Sequence, residues 1–280
     1  MRSKLMLPFL CLFLAACASL EPKSANLETS VCGAVQEPFI FWIWSRSAGK
    51  VNPSLAQQVP NSEPLSYRTV DGRVLHGYKL RSSAQDGRVR GSVLLAQGNA
   101  MLAEHLLGEM AELSQAGLDV YIFDYRGYGQ SEGKRRLKAI VSDYREMYEN
   151  VLPKDRGKRL LYGISFGGIV LSNVIGSGIQ FDAAVIDSSP SRLSNHGCED
   201  KYDPVANIPQ NASKITVIAG LRDTVIKPDD SHELRAAVEK QGGKSVFSPD
   251  FAHPFMDSSA QTRLARMALV KRHLLGEALP

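Results

Sequence analysis

Two stretches of this chain set a serine between glycines two residues away on either side: Gly129-Gln130-Ser131-Glu132-Gly133 and Gly163-Ile164-Ser165-Phe166-Gly167. A serine hydroxyl is a weak nucleophile at neutral pH. It reacts only where a base takes its proton, a third group orients that base, and donors meet the developing oxyanion. Context separates the two candidates. Ser165 lies between the apolar run Leu160-Leu161-Tyr162 and the run Gly168-Ile169-Val170-Leu171, which reads as strand, sharp turn, helix. Small residues let such a turn approach its neighbours, and a helix N-terminus favours negative charge. Ser131 is followed by Lys134-Arg135-Arg136 instead of an apolar helix, and reads as a structural turn serine.

The elements that must position Ser165 follow from periodicity. Leu65–Val70 and Val74–Leu80 flank Asp71-Gly72, a hairpin signal. Short apolar runs at 92–96, 120–123, 159–164, 183–186, 214–219 and 245–248 predict strands. Helical spacing predicts helices over 102–115, 140–151, 167–175, 228–240 with Pro228 in its first turn, and 254–275. Strands that alternate with helices and are apolar on both faces predict a mostly parallel sheet covered on both sides, with an antiparallel hairpin at the N-terminal edge. The aromatic block Phe39-Ile40-Phe41-Trp42-Ile43-Trp44 reads as an element covering the core. Its sharper alternative is an interfacial anchor or an acyl-substrate contact.

The run from Asp124 to Gly133, Asp-Tyr-Arg-Gly-Tyr-Gly-Gln-Ser-Glu-Gly, resembles the loop after the fourth strand of many α/β-hydrolases. With the later G-x-S-x-G, the resemblance spans roughly residues 65 to 275 and is closest to the esterase-like branch with little or no cap. It implies the α/β-hydrolase fold with Ser165 as nucleophile. It also implies a chain order of serine, acid, histidine. Asp223, after the strand at 214–219, and His253, between the last strand and last helix, match the family's acid and base. Asp187 is the alternative acid, since some relatives carry it there. His76, His105, His196, His232 and His273 fit no such position. The family's oxyanion donors map onto the N–H groups of Phe166 and Asn99, although Gln97 stands where many relatives have histidine before the glycine. Such a site needs no metal and no organic cofactor.

Arg2 and Lys4 precede an apolar segment, Leu5 to Ala16, that is too short to span a bilayer and suits a secretory signal. It ends in Leu14-Ala15-Ala16-Cys17, which resembles the lipobox of bacterial lipoproteins. The resemblance implies a signal peptide over 1–16, an acylated Cys17, a tether over 17–37 and a hydrolase domain over 38–280. Ala18, not aspartate, follows Cys17, which points to the outer membrane and a periplasm-facing domain. In an oxidising compartment Cys32 and Cys198 can pair, and their spacing is not that of a metal site. The 280 residues are 44% hydrophobic and carry a formal net charge of +4, with the basic residues dispersed, so no nucleic-acid footprint is legible. The expected partners are an acyl substrate and a membrane reached through the lipid on Cys17. The expected activity is hydrolysis of carboxylic esters or thioesters. A peptidase or amidase on the same triad, and a non-enzymatic lipid-anchored binding protein, are the alternatives.

Overall fold

The computed structural model describes residues 27–277. The leader and Cys17 lie outside this range. Eight strands form one sheet in the order β1-β2-β4-β3-β5-β6-β7-β8. They are β1 (Ser62–Arg68), β2 (Val74–Leu80), β3 (Gly91–Ala96), β4 (Leu118–Phe123), β5 (Lys158–Ile164), β6 (Ala183–Asp187), β7 (Ile215–Gly220) and β8 (Lys244–Ser248). The β1–β2 hairpin is antiparallel, β2 meets β4 antiparallel, and every pair from β4 to β8 is parallel.

The alternation of side chains divides the core into two layers. Leu94 and Ala96 of β3, Tyr121 and Phe123 of β4 and Leu161 of β5 face one side. There they meet α1 (Gln36–Ser47), α5 (Leu137–Asn150), α6 (Phe166–Gly176) and α7 (His232–Lys240). Val93, Leu95, Val120, Ile122, Leu160 and Tyr162 face the other. They pack on α3 (Ala103–Leu106), α4 (Ala111–Gln115) and α8 (Ala260–Leu275), while the short α2 (Pro53–Gln57) adds Ala56. Strands buried on both faces are what their near-continuous apolar sequences require.

Three helices depart from their expected bounds. The helix read over 102–115 is two short ones, α3 and α4, joined by a turn at Gly108, whose carbonyl accepts from Ala111 N–H. Glycine carries a backbone-entropy cost inside a helix, so the break falls there. The helix expected from Pro228 begins only at His232, because the Pro228 carbonyl accepts from Ser231 Oγ in a preceding turn. The helix expected from Pro254 begins at Ala260, where Ser259 caps it by accepting the Thr262 N–H.

The segment expected as tether also differs at its C-terminal end. Val31 and Glu37 are buried. Glu28 pairs with Arg73 and with fully buried Arg126, which also binds Asp71 and Asp143. Glu28, Val31, Cys32 and Glu37 therefore tie this segment to the body, and polarity alone does not reveal it, since partners such as Arg73, Leu137 and Cys198 lie from 45 to 166 residues away. Glu37 accepts N–H bonds from Val31, Cys32 and Leu137, which anchors the start of α1. Among the described residues no helix is long and apolar enough to cross a membrane.

Candidate active site

Ser165 occupies the one-residue corner between β5 and α6, with φ 53° and ψ −115°. A non-glycine residue there carries backbone strain, which persists only where the surroundings enforce it. They do so through close packing. A Cβ on Gly163 would stand 2.7 Å from Gly167 O, and one on Gly167 only 1.9 Å from Ala96 O. The glycines flanking Ser165 are thus required by the approach of α6 to β3 and β5. The Ser165 N–H donates to the Asp187 carbonyl at 2.8 Å, and the Ser165 carbonyl accepts from Gly168 N–H at 2.9 Å. Both fix the corner to β6 and to the first turn of α6. Phe166 opens α6, so its N–H belongs to the first helical turn, whose amides have no partner within the helix.

Asp223 and His253 come together from the loops after β7 and β8. Asp223 is 3% exposed. Its Oδ2 lies 2.9 Å from His253 Nδ1, while Oδ1 accepts the N–H groups of Val225 and Ile226 at 2.9 and 2.8 Å. Burial pushes its carboxyl up, but the bond and charge of His253 and the two backbone donors outweigh this. They hold Asp223 below the usual aspartate value. Asp223 is thus an ionised carboxylate bonded to the imidazole.

Asp187, the alternative acid, is fully buried but differently engaged. Its carboxylate pairs with Arg266 Nη1 at 2.7 Å and accepts from Tyr162 OH and Ser188 Oγ. Arg266 also binds Asp257 and donates to the Ala252 carbonyl at 2.5 Å, while Asp257 accepts the Ala252 N–H at 2.8 Å. Both backbone groups of the residue before His253 are therefore clamped. Sequence reading missed this clamp. The available signal was an arginine on α8 among the buried positions Met267, Val270 and Leu274.

A cavity of about 380 Å³ opens at Ser165. Asn99 and Phe166, the expected oxyanion residues, share it, as do Val225 and Ile226 from the Asp223 loop. Its apolar wall comes from α1, with Phe41 and Trp44 packed against the Phe166 ring at 5.4 and 5.7 Å between centroids. The aromatic block thus covers the core and lines the cavity at once. At the rim, Cys32 and Cys198 are joined by a disulfide across 166 positions, with Cα atoms 3.7 Å apart.

The other glycine-flanked serine does different work. Ser131 Oγ accepts the His76 N–H and donates to the Asp124 carbonyl, both at 2.9 Å. Nearby, the Asp124 carboxylate accepts the Ala103 N–H at 2.7 Å, under the loop carrying Gln97 and Asn99. Its burial, reinforced by the charge of Glu104, raises it to about 7 against the opposing Ala103 bond. The Gln97 backbone carbonyl accepts from Tyr125 OH, and its fully buried side chain donates from Nε2 to the Met101 carbonyl, so this residue is part of the core.

The family described as serine aminopeptidase, S33 matches residues 87–209, which include Ser165 but neither Asp223 nor His253. The chain is similar to the uncharacterized protein Rv2307c of Mycobacterium tuberculosis, 26% identical over 92% of this chain and 100% of the other. It is also similar to the uncharacterized protein YfhR of Salmonella typhimurium, 24% identical over 75% of this chain and 80% of the other. Among solved structures, the α/β hydrolase from Vibrio vulnificus superposes with a TM-score of 0.66 at 15% identity, covering 86% of this chain and 95% of that one. The esterase Pf2001 of Pyrococcus furiosus gives 0.61 at 18% identity, over 81% and 96%. The sheet order, the strained serine corner and these likenesses together establish the α/β-hydrolase fold for this chain.

Proposed function

We propose that this protein is a serine hydrolase that cleaves carboxylic ester or thioester bonds, tethered to a bacterial envelope membrane by acylated Cys17. The observation that carries the catalytic reading is the Asp223–His253 pair at 2.9 Å, with Val225 and Ile226 of the Asp223 loop lining the same cavity as the strained Ser165. In this reading His253 takes the Ser165 proton and Asp223 holds the imidazole in the needed tautomer. Ser165 Oγ attacks the acyl carbonyl, and the N–H groups of Phe166 and Asn99 receive the oxyanion. The alcohol or thiol leaves with the proton from His253. Water, deprotonated by the same histidine, then releases the acid and frees the serine. The apolar wall of Phe41, Trp44, Ile169 and Leu193 suits the acyl portion of such a substrate.

An aminopeptidase reading is favoured by the S33 description matched over 87–209. Purified protein assayed on matched p-nitrophenyl esters and p-nitroanilides of one acyl series separates the two. Turnover of esters with anilides at least a hundredfold slower is expected, and faster anilide cleavage would overturn the ester assignment. Ser165→Ala should abolish both turnover and fluorophosphonate labelling. The anchor reading rests on the Leu14-Ala15-Ala16-Cys17 run. An N-terminal peptide carrying diacylglycerol on Cys17 in mass spectrometry is expected, and an unacylated N-terminus would refute it.

A further inference from the structure

Helix α1 is apolar on two faces, and only one of them is used by the fold. Glu37, Phe41, Trp44 and Ala48, spaced by four, three and four, point inward. Val35, Phe39, Trp42, Ile43 and Arg46 form the opposite stripe, and all are exposed. Val35 is 81% exposed, Phe39 59%, Trp42 46% and Ile43 40%. A helix apolar all round is normally buried all round. Here one face meets solvent, with Phe39 and Trp42 stacked at 6.2 Å and Arg46 lying over the Trp42 ring at 5.4 Å. A groove beside that face is closed by Lys134, Arg135 and Arg136.

We infer that this outer face of α1, with Arg46 and the 134–136 basic run, docks on an anionic lipid surface. Exposed aromatics bordered by cations are the composition that partitions into the headgroup region, where an amphipathic ring has an apolar side and a wet one. The charge selects anionic headgroups. Chain connectivity points the same way. Glu28 accepts the Lys134 N–H at 2.9 Å, so the segment that precedes it enters the fold beside this patch. Ten residues separate Glu28 from Cys17, enough to span at most about 35 Å. The docking stands apart from the catalytic reading and would hold for an inactive chain. It gives α1 two neighbours, a bilayer outside and the Ser165 cavity inside.

The chain has only two tryptophans, Trp42 and Trp44, which makes the test direct. Full-length Trp44→Phe protein, with Trp42 as the sole indole, is mixed with phosphatidylglycerol vesicles whose acyl chains carry bromine near the carbonyl. Vesicle flotation reads attachment, and emission reads docking. Trp42 emission is expected to shift to the blue and fall at least twofold. Phosphatidylcholine vesicles with the same bromine should give little quenching, as should Arg46→Glu/Lys134→Glu protein on the anionic vesicles. Protein that floats with Trp42 unquenched would overturn the docking while leaving an anchor intact. So would quenching that ignores lipid charge. Trp42 already shielded from iodide without vesicles, in a species that sediments as a dimer, would assign the face to a second copy instead.

Discussion

Two aspartates stand at the ends of neighbouring parallel strands, and each meets a different partner. Asp223 faces His253, and Asp187 faces Arg266. Asp223→Asn removes the orienter of the imidazole, and kcat should fall on the order of 10⁴-fold with little change in melting temperature. Asp187→Asn leaves Arg266 buried without its closest carboxylate and should cost about 3–5 kcal/mol of stability. Its kcat, measured well below the melting point, should stay within about tenfold of wild type. The reverse pattern would make Asp187 the acid. Ser131→Ala should retain fluorophosphonate labelling and lose about 1–3 kcal/mol, because the His76 N–H is left without its acceptor. Asp124 gives a pH signature. An unfolded aspartate titrates near 4, whereas in the fold Asp124 keeps its proton up to about 7. Its contribution to stability is therefore complete below about pH 4 and is lost as pH rises to about 7. Asp124→Asn, locked in the neutral form, escapes that loss. It should melt several degrees above wild type at pH 8, with the gap closing towards pH 4 in paired thermal scans.

At the scale of elements, the strands were legible because a strand buried on both faces writes itself as an unbroken apolar run. Runs such as Val93-Leu94-Leu95-Ala96 need no knowledge of partners. The corner at Ser165 was legible for a related reason, since two glycines around it are dictated by local close approach. What the sequence could not convey depends on distant partners. Glu28 and Glu37 look like residues of a polar tether until Arg126 and the Leu137 N–H are placed beside them. The clamp of Arg266 and Asp257 on Ala252 is equally non-local. Helix α1 hides its docking side because both of its faces are apolar, so periodicity cannot choose between them. Its inner face carries a prediction of its own. Trp44→Ala should widen the cavity beside Ser165 and move the preferred acyl chain to a longer length. A p-nitrophenyl ester series would show this, and an unchanged optimum would remove Trp44 from the acyl wall.

For the molecule as a whole, the disulfide closes a loop of 166 positions and so fastens the N-terminal segment to the insertion between β6 and β7. In the chain-entropy model such a closure stabilises by up to about 5 kcal/mol, with measured gains often smaller. Cys32→Ser/Cys198→Ser should therefore unfold at lower urea, and reduced wild-type protein should follow the same curve. Coincident curves for oxidised and reduced wild type would show that the bridge contributes nothing.

The same bridge also sets an order in time. A chain is made from its N-terminus, so α1 exists long before the surfaces that receive it. Leu137, Phe166 and Cys198 all follow it by roughly a hundred residues or more. Until they arrive, the segment holding Phe41, Trp44 and the Cys32 thiol has nothing native to pack on. Contacts this distant in sequence form late and leave apolar surface open meanwhile. Helix α1 is thus the last to be seated, and its disulfide is a record that seating is complete. Trapping thiols at intervals during oxidative refolding should find Cys32 free until the body has folded, then bridged in one step to Cys198.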